Sequence, residues 1–370
     1  MTHLTALGWN HPRCVGPMLA CAEAWARRAP GDTVEWSFRS LAAFGDQPLE
    51  AVAADFDLVV IDHPFCGRAL ETGCLTPLDT LVDEDTLGVL AADAIGPSHI
   101  SYAYGGHQWG LATDAACQVS AVAPGHDPPS TWDEALALAD DLNGCTAVPL
   151  SPAHSISSFL TLAAGAGGGP AEDGRIADSE VGEWALDVLV RLAAAGPASA
   201  FEWEPPDVLA RLTQDDDAVL YVPLLYGYVT YSTNAVSRPC RFADVPGGRG
   251  AVLGGAGLAV SSASTNSEQA AAFAVWASRT EAQLEVVAAA GGQPGSRAAW
   301  DDPALDASAG GFYSGTRASL EGAWVRPRDP WWPAFQLDAG NLLTRALAGR
   351  RPASETFRAL DDLYRERSAA

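Results

Sequence analysis

The chain of 370 residues contains no lysine, so all 22 of its basic residues are arginines. Schiff-base chemistry and a Walker-type phosphate loop both need a lysine and are therefore excluded. Only 18% of the residues are charged and 48% are hydrophobic, which excludes a disordered chain and allows a large core. The 46 acidic residues give a net charge of −24, so we expect neither nucleic acid nor an anionic membrane surface as a partner.

Long apolar runs and paired metal or redox motifs are also missing. No run approaches the ~18 apolar residues of a membrane span, so we expect no membrane insertion. The first residues, MTHLTALGWNHPR, lack the pattern of a signal peptide, which predicts a cytoplasmic location; a start further upstream would predict a periplasmic or extracellular one. The seven cysteines form no CxxC pair, and no HxH or HExxH spacing occurs, so we expect no metal and no cofactor.

Short apolar runs alternate with helical segments and indicate an α/β protein. Residues 4–9 and the run ending at Ile61 are predicted as parallel strands, with a helix between them that Pro17 opens and that extends through Arg28. Thr131 and Glu134 have capping-box spacing, which predicts a helix that follows them. Further strands are predicted over residues 145–150, 218–225 and 249–261, and the last hundred residues are predicted to contain no strand.

Six short motifs follow one another in a defined order. They are LTPLD at 75–79, GHQWGLATD at 106–114, PSTWDE at 129–134, GGAGLAV at 254–260, the helical segment 266–278 and GQPGSR at 292–297. Together they resemble the extracellular solute-binding proteins of sugar-type ABC importers. The resemblance implies a two-lobed, type II periplasmic-binding-protein-like α/β fold, in which hinge crossovers join the lobes and the ligand binds in the cleft between them.

The same resemblance implies the domain boundaries and the partners. Lobe 1 is expected to comprise residues 1–114 and 252–312, and lobe 2 residues 115–251 and 313–370. The family is usually monomeric, so we expect a monomer whose partner is a small-molecule ligand. An ABC permease is expected as a second partner only if the protein is exported.

Two loops that follow predicted parallel strands both contain a His-Pro pair, and the carboxyl ends of such strands commonly face a ligand. In the first loop, Trp9 is expected to stack on the ligand, Asn10 and His11 to hydrogen-bond, and Arg13 to clamp an acidic group. His63 is expected to join them, which makes the site cationic and predicts an anionic or strongly polar ligand. In the alternative interpretation, Asp62 and His63 only cap the start of a helix.

Other ligand contacts are implied by the resemblance rather than by the loops. These residues are Asp114 and Gln118 beside the first crossover, His154, Tyr226 and Tyr228 from the second lobe, Gln293 and Arg297 from the first lobe, and Trp331. The Trp331–Trp332 pair is expected either to close the cleft or only to pack the C-terminal helices. The triplet at residues 215–217, DDD, is interpreted as a solvated turn, with a calcium site as the alternative.

Three functions stay open. The first is a cytoplasmic protein that captures a small anionic or polar solute by lobe closure without changing it. The second is an enzyme in which His11 and His63, one of them oriented by Asp62 or Asp114, perform acid–base chemistry on a carboxylate or acyl thioester, giving isomerisation, elimination or cyclisation. The third is the substrate-binding component of an ABC importer.

Overall fold

A computed structural model describes residues 1–142, 144–168, 171, 174–216 and 218–369. It divides into two compact units, each assembled from three chain segments. Unit 1 comprises Met1–Ala116, Gly254–Leu305 and Arg326–Pro330, and unit 2 comprises Cys117–Leu253, Asp306–Val325 and Trp331–Ala370. The short segment Arg326–Pro330 thus belongs to unit 1, whereas the expected boundaries had placed it in the second lobe.

The strands of the described residues are β1 (His3–Trp9), β2 (Thr33–Arg39), β3 (Leu58–Ile61), β4 (Leu75–Thr76), β5 (Ala103–Tyr104), β6 (His107–Gln108), β7 (Leu111–Val122), β8 (Tyr221–Tyr226), β9 (Arg241–Ala243) and β10 (Leu253–Ser261). The α-helices are α1 (Pro12–Arg28), α2 (Leu41–Asp46), α3 (Glu50–Ala53), α4 (Cys66–Thr72), α5 (Glu84–Asp93), α6 (Trp132–Asp141), α7 (Pro152–Gly165), α8 (Ser179–Ala195), α9 (Pro205–Leu212), α10 (Ser267–Ser278), α11 (Thr280–Ala282), α12 (Arg297–Trp300), α13 (Pro303–Ser308), α14 (Phe312–Glu321), α15 (Trp332–Ala348) and α16 (Ala353–Ser368). A π-helical turn, Gln283–Ala288, continues α11.

The sheet of unit 1 has the order β2-β1-β3-β10, followed by the first part of β7. Strand β1 is parallel to both β2 and β3, and β10 is antiparallel to β3. All four residues of β3 are buried, as expected of a strand that is covered on both faces. Trp9 is paired with Arg39, so β1 and β2 end level with each other. Their carboxyl ends, and that of β3, therefore lie at one edge of the sheet.

Unit 2 is built mainly from helices around a short antiparallel sheet. The second part of β7 pairs with β8 and with β9. Helix α15 packs on α7 and on α16, and α8 packs on α16. The backbones of α15 and α7 approach so closely that a Cβ atom at Gly340 would lie 2.2 Å from the carbonyl oxygen of Pro152. Only glycine fits at this crossing.

Two local predictions are wrong: the start of helix α1 and the strand over residues 145–150. Helix α1 begins at Pro12 and contains Pro17 in its interior, because proline is favoured in the first turn and His11 supplies the N-cap. Residues 145–150 do not form the predicted strand in the described part of the chain; only Thr146 forms an isolated bridge, to Tyr221. Position 217 of the acidic triplet lies outside the described residues.

Two of the sequence motifs contact each other in unit 1. The Asp79 carboxylate accepts a hydrogen bond from the Gln108 backbone N–H at 2.8 Å, and its other oxygen lies 2.9 Å from His107 Nδ1. The Trp109 indole N–H donates to the Tyr104 carbonyl oxygen at 3.0 Å. The motifs at 75–79 and 106–114 are therefore held against each other by the contacts of Asp79 with His107 and Gln108.

No helix among the described residues is long and apolar enough to cross a membrane.

Candidate functional site

The loop after β1 begins at the edge where the parallel strands of unit 1 end. Asn10 is exposed and His11 is half-buried. The His11 side chain is the N-cap of α1, and its Nδ1 accepts a hydrogen bond from the Arg13 backbone N–H at 3.1 Å. Trp9 is only 3% exposed and stacks on His11 at 5.6 Å and on Phe44 at 5.8 Å. The predicted stacking platform is thus packed against its own neighbours.

Arg13 forms a buried ion pair with Asp114. Its Nε donates to one carboxylate oxygen at 2.8 Å and its Nη2 donates to the other. Both side chains are at least nine-tenths buried, and the adjacent cavity, about 10 Å³, has room for roughly one water molecule. The predicted clamp for an acidic ligand is therefore already occupied by a carboxylate of the same chain.

A second ion pair lies at the end of β3. Arg326 Nη2 donates to both carboxylate oxygens of Asp62 at 2.8 Å, and Asp62 Oδ1 also accepts from the His63 backbone N–H at 2.9 Å. Burial, the largest single effect, raises the pKa of Asp62, but Arg326 and His63 together outweigh it and lower the pKa to about 2. Asp62 therefore caps the helical turn that begins at His63, as the alternative interpretation stated, and it also pairs with Arg326.

Both histidines of this edge are uncharged near neutral pH. Burial, followed by the charge of Arg13, lowers the pKa of His11 to about 4. Burial, followed by the charge of Arg326, likewise lowers the pKa of His63 to about 4. The prediction that two histidines and Arg13 make the site cationic is therefore wrong, because burial deprotonates the imidazoles and Asp114 neutralises the guanidinium.

The same geometry speaks against the acid–base enzyme. An imidazole with a pKa near 4 is a weak base, and near neutral pH it holds no proton that it can give as an imidazolium. The Asp62 carboxylate, which was expected to orient an imidazole, lies 3.3 Å from His63 Nδ1 but is also held by Arg326. No group of three or more His, Cys, Asp or Glu side chains that could hold a metal ion occurs among the described residues.

Two residues that the sequence analysis missed lie beside these pairs. Tyr102 is 1% exposed, its hydroxyl has no hydrogen-bond partner among the described residues, and its ring packs edge-on against His63 at 6.3 Å. Arg39 is half-buried at the end of β2, and its Nη2 donates to the Val60 carbonyl oxygen at 3.2 Å. The available signal for Arg39 was its position, since β2 ends at the same edge of the sheet as β1 and β3.

Unit 2 contains a separate polar cluster at the start of α7. His154 Nε2 lies 2.6 Å from the Glu204 carboxylate, which also accepts from the Ser151 hydroxyl at 2.8 Å. Burial raises the pKa of Glu204, but these two hydrogen-bond partners lower it below its usual range. The Tyr226 ring packs edge-on against His154 at 5.8 Å.

Two further side chains join this face of α7. The Tyr226 hydroxyl donates to Ser157 at 3.2 Å, and the fully buried Gln118 donates to Ser158 at 3.3 Å. Three of the predicted site residues therefore lie at one face of helix α7 in unit 2: Gln118, His154 and Tyr226.

The remaining predicted site residues take part in local packing. Tyr228 is 4% exposed and packs edge-on against Tyr231. Trp331 packs against three aromatic rings of α15 and α16, as in the packing alternative. In unit 1, Gln293 exchanges hydrogen bonds with the Ala115 backbone at 2.9 and 3.1 Å, and Arg297 donates to the Ala94 carbonyl oxygen at 3.4 Å.

Comparisons with known proteins agree with this architecture. A family model described as bacterial extracellular solute-binding protein matches residues 47–309. No curated protein matches the chain.

Several solved structures match over nearly the whole of both chains. The maltose-bound MalE3 of T. maritima is 16% identical, with a TM-score of 0.80 and 100% of each chain covered. A solute-binding protein of an ABC transporter from Thermotoga lettingae, bound to α-D-tagatose, is 19% identical, with a TM-score of 0.83 and coverage of 99% of this chain and 100% of that one. A third, from Agrobacterium radiobacter with ribitol, is 20% identical, with a TM-score of 0.81 and coverage of 99% and 98%. The predicted periplasmic-binding-protein-like α/β fold is confirmed.

Proposed function

Because the chain belongs to the family of bacterial extracellular solute-binding proteins, we propose that it binds a small polyhydroxylated solute and passes it to an ABC importer. Three structural neighbours hold maltose, α-D-tagatose and ribitol, which are all rich in hydroxyl groups. Each hydroxyl both donates and accepts a hydrogen bond, so its recognition needs fixed donors and acceptors rather than a net charge.

The observation that carries this proposal is the set of ion pairs at the strand ends of unit 1. Asp62 and Asp114 are each held by a guanidinium, and their side chains keep 14% and 10% of their surfaces exposed. A carboxylate that is fixed in direction is a strong acceptor for a hydroxyl group. Because each pair is neutral as a whole, a neutral solute can bind against the two pairs without separating their charges.

The charge of the solute is not decided by the residues that the sequence analysis selected. Arg13 is paired, and His11 and His63 are neutral. The expectation of an anionic solute therefore loses the basis on which it was made. Capture by closure of the two lobes stays a prediction from the family resemblance.

A location outside the cell is part of the proposal, since the matching family is described as extracellular. Nothing in the comparisons supports the expected cytoplasmic location. An ABC permease is the partner that this location implies. Fractionation of the native host, followed by immunoblotting, is expected to place the protein outside the cytoplasmic fraction, and recovery in the cytoplasm alone would contradict this part.

The binding proposal is tested by thermal unfolding of the purified protein with a panel of solutes. Maltose, α-D-tagatose, ribitol, mannitol and sugar acids form one arm, and amino acids and dicarboxylates of similar size form the other. At about 100 times its dissociation constant, a ligand stabilises a protein by about 2.7 kcal/mol, so at least one polyhydroxylated solute is expected to raise the melting temperature by several degrees. Stabilisation by amino acids or dicarboxylates alone would overturn the proposal.

A further inference from the structure

Arg39 lies at the same strand ends as the two ion pairs of unit 1. It is the last residue of β2, and β1 lies between β2 and β3 in the sheet. Because its Nη2 donates to the Val60 carbonyl oxygen of β3, the side chain reaches across β1 towards the strand that ends before Asp62. Its guanidinium carbon lies 5.6 Å from the Phe44 ring, which in turn stacks on Trp9.

The charge of Arg39 has no counter-charge in the described part of the chain. No carboxylate there lies within ion-pair distance of it, and its Nε and Nη1 are buried without a hydrogen-bond acceptor. Burial lowers the pKa of Arg39 to about 10, so the group is still protonated near neutral pH. Arg13 and Arg326, by contrast, each hold a carboxylate of their own chain.

A covered guanidinium N–H without an acceptor is unfavourable unless another molecule supplies one, and in Arg39 this applies to Nε and Nη1, since only Nη2 has an acceptor among the residues that the structure describes. The Arg39 side chain as a whole is only half-buried, whereas Nε and Nη1 themselves are covered, so an incoming group reaches them once a neighbouring side chain moves. A carboxylate carries one negative charge and matches one guanidinium. A phosphate monoester carries about 1.5 to 2 negative charges at neutral pH and would leave an excess at this edge.

We propose that Arg39 is a specificity-determining residue that binds the single carboxylate of an acidic polyhydroxylated solute, the chemical class of the sugar acids. This inference rests on the proposed binding function and assigns the charge of the solute to a residue outside the predicted site. The paired carboxylates of Asp62 and Asp114 would then accept hydrogen bonds from its hydroxyl groups.

The test is isothermal titration calorimetry with matched probes: D-gluconate against sorbitol, and D-galacturonate against D-galactose. We expect an acid to bind about 10- to 100-fold more tightly than its neutral partner, since a hydrogen bond to a charged group contributes that much. Arg39→Gln is expected to remove this preference and to leave the affinity for the neutral partner within about twofold. Arg39→Lys, which keeps the charge, is expected to retain part of the preference. Arg28→Gln, an exposed position on α1, is the matched control for net charge and is expected to change neither affinity.

Each other outcome has a defined meaning. If sorbitol or galactose binds and neither acid binds more tightly, the inference on Arg39 fails and the proposed function stands. Equal losses for acid and neutral solute in Arg39→Gln would assign it a structural role and overturn the inference. Tighter binding of glucose 6-phosphate than of gluconate would overturn the choice of a carboxylate. If no polyhydroxylated probe binds at all, the proposed function fails, and the inference fails with it.

Discussion

Arg13 and Arg39 lie near the ends of neighbouring strands of one sheet and have opposite electrostatic environments. Arg13 is 4% exposed and forms a bidentate pair with Asp114, whereas Arg39 is half-buried and has no carboxylate partner among the described residues. The paired guanidinium stabilises the protein itself and orients an acceptor. The guanidinium of Arg39 has no such carboxylate in the described part of the chain, so its charge is available to a ligand. An arginine at a strand end is therefore informative about a ligand only once its partners are known.

The largest effect is expected when the ion pair of Arg13 and Asp114 is broken. Asp114→Ala removes the carboxylate that pairs with the buried Arg13 guanidinium, so the free energy of unfolding is expected to fall by about 3–5 kcal/mol in urea denaturation. The double variant Arg13→Met, Asp114→Leu removes both charges and is expected to recover most of that loss. A loss below about 1 kcal/mol in Asp114→Ala would show that the Arg13–Asp114 pair contributes little to the stability of the fold.

The neutral histidines extend the comparison, because the stability that a buried neutral imidazole contributes depends on pH. His63 has a pKa of about 4 in the folded protein and about 6.5 in the unfolded chain, so the unfolded state binds more protons between these values. The stability due to neutral His63 is thus complete above pH 6.5 and lost as the pH falls to 4, a change of about 3 kcal/mol.

His63→Gln is expected to flatten this profile in urea denaturation between pH 7 and pH 4. The matched control is His3→Gln, because His3 is exposed. A profile of unchanged steepness in His63→Gln would show that His63 does not titrate as the buried geometry requires.

An effect of intermediate size is expected at Tyr102, whose buried hydroxyl has no hydrogen-bond partner among the described residues. A Cβ atom at Gly257 would lie 2.7 Å from the Tyr102 ring, so Gly257→Ala is expected to lower the free energy of unfolding by about 1–3 kcal/mol. Combining Gly257→Ala with Tyr102→Leu, which removes the ring, should restore most of the loss. If the double variant is no more stable than Gly257→Ala, the collision is not the cause.

The smallest effect is expected where the charge is unpaired. Arg39→Gln removes a guanidinium that has no counter-charge, so without ligand the free energy of unfolding is expected to change by less than about 0.5 kcal/mol or to rise. The same urea denaturation that measures Asp114→Ala checks it. A loss comparable with that of Asp114→Ala would mean that Arg39 serves the fold, and the contrast between the two arginines would disappear.

The fold was largely predictable because its signals are local. The apolar run that ends at Ile61 became the buried strand β3, and the capping box of Thr131 and Glu134 starts α6 as expected. The start of α1 was missed because Pro12 and Pro17 both satisfy the rules for an opening proline, and only the His11 cap distinguishes them.

The positions of the two strand-end loops were predictable, but the charges of their side chains were not. The loops that contain Asn10 and Asp62 do follow parallel strands, as the alternation of apolar runs indicated. Arg39 escaped attention because no motif surrounds it, and its importance depends on which partners it lacks. Trp331 allowed two interpretations from sequence, and the aromatic packing around it supports the internal one.

By itself, the sequence determined what depends on neighbouring residues: the α/β class, the helix caps, the strand-end loops and the absence of lysine chemistry. Only the tertiary structure decided which cations are neutralised. The carboxylate that pairs with Arg13 is 101 residues away along the chain, and the one that pairs with Arg326 is 264 residues away. Burial then decides which imidazoles lose their protons. Electrostatic energy depends on distance in space and on access of water, and neither can be read from the order of residues.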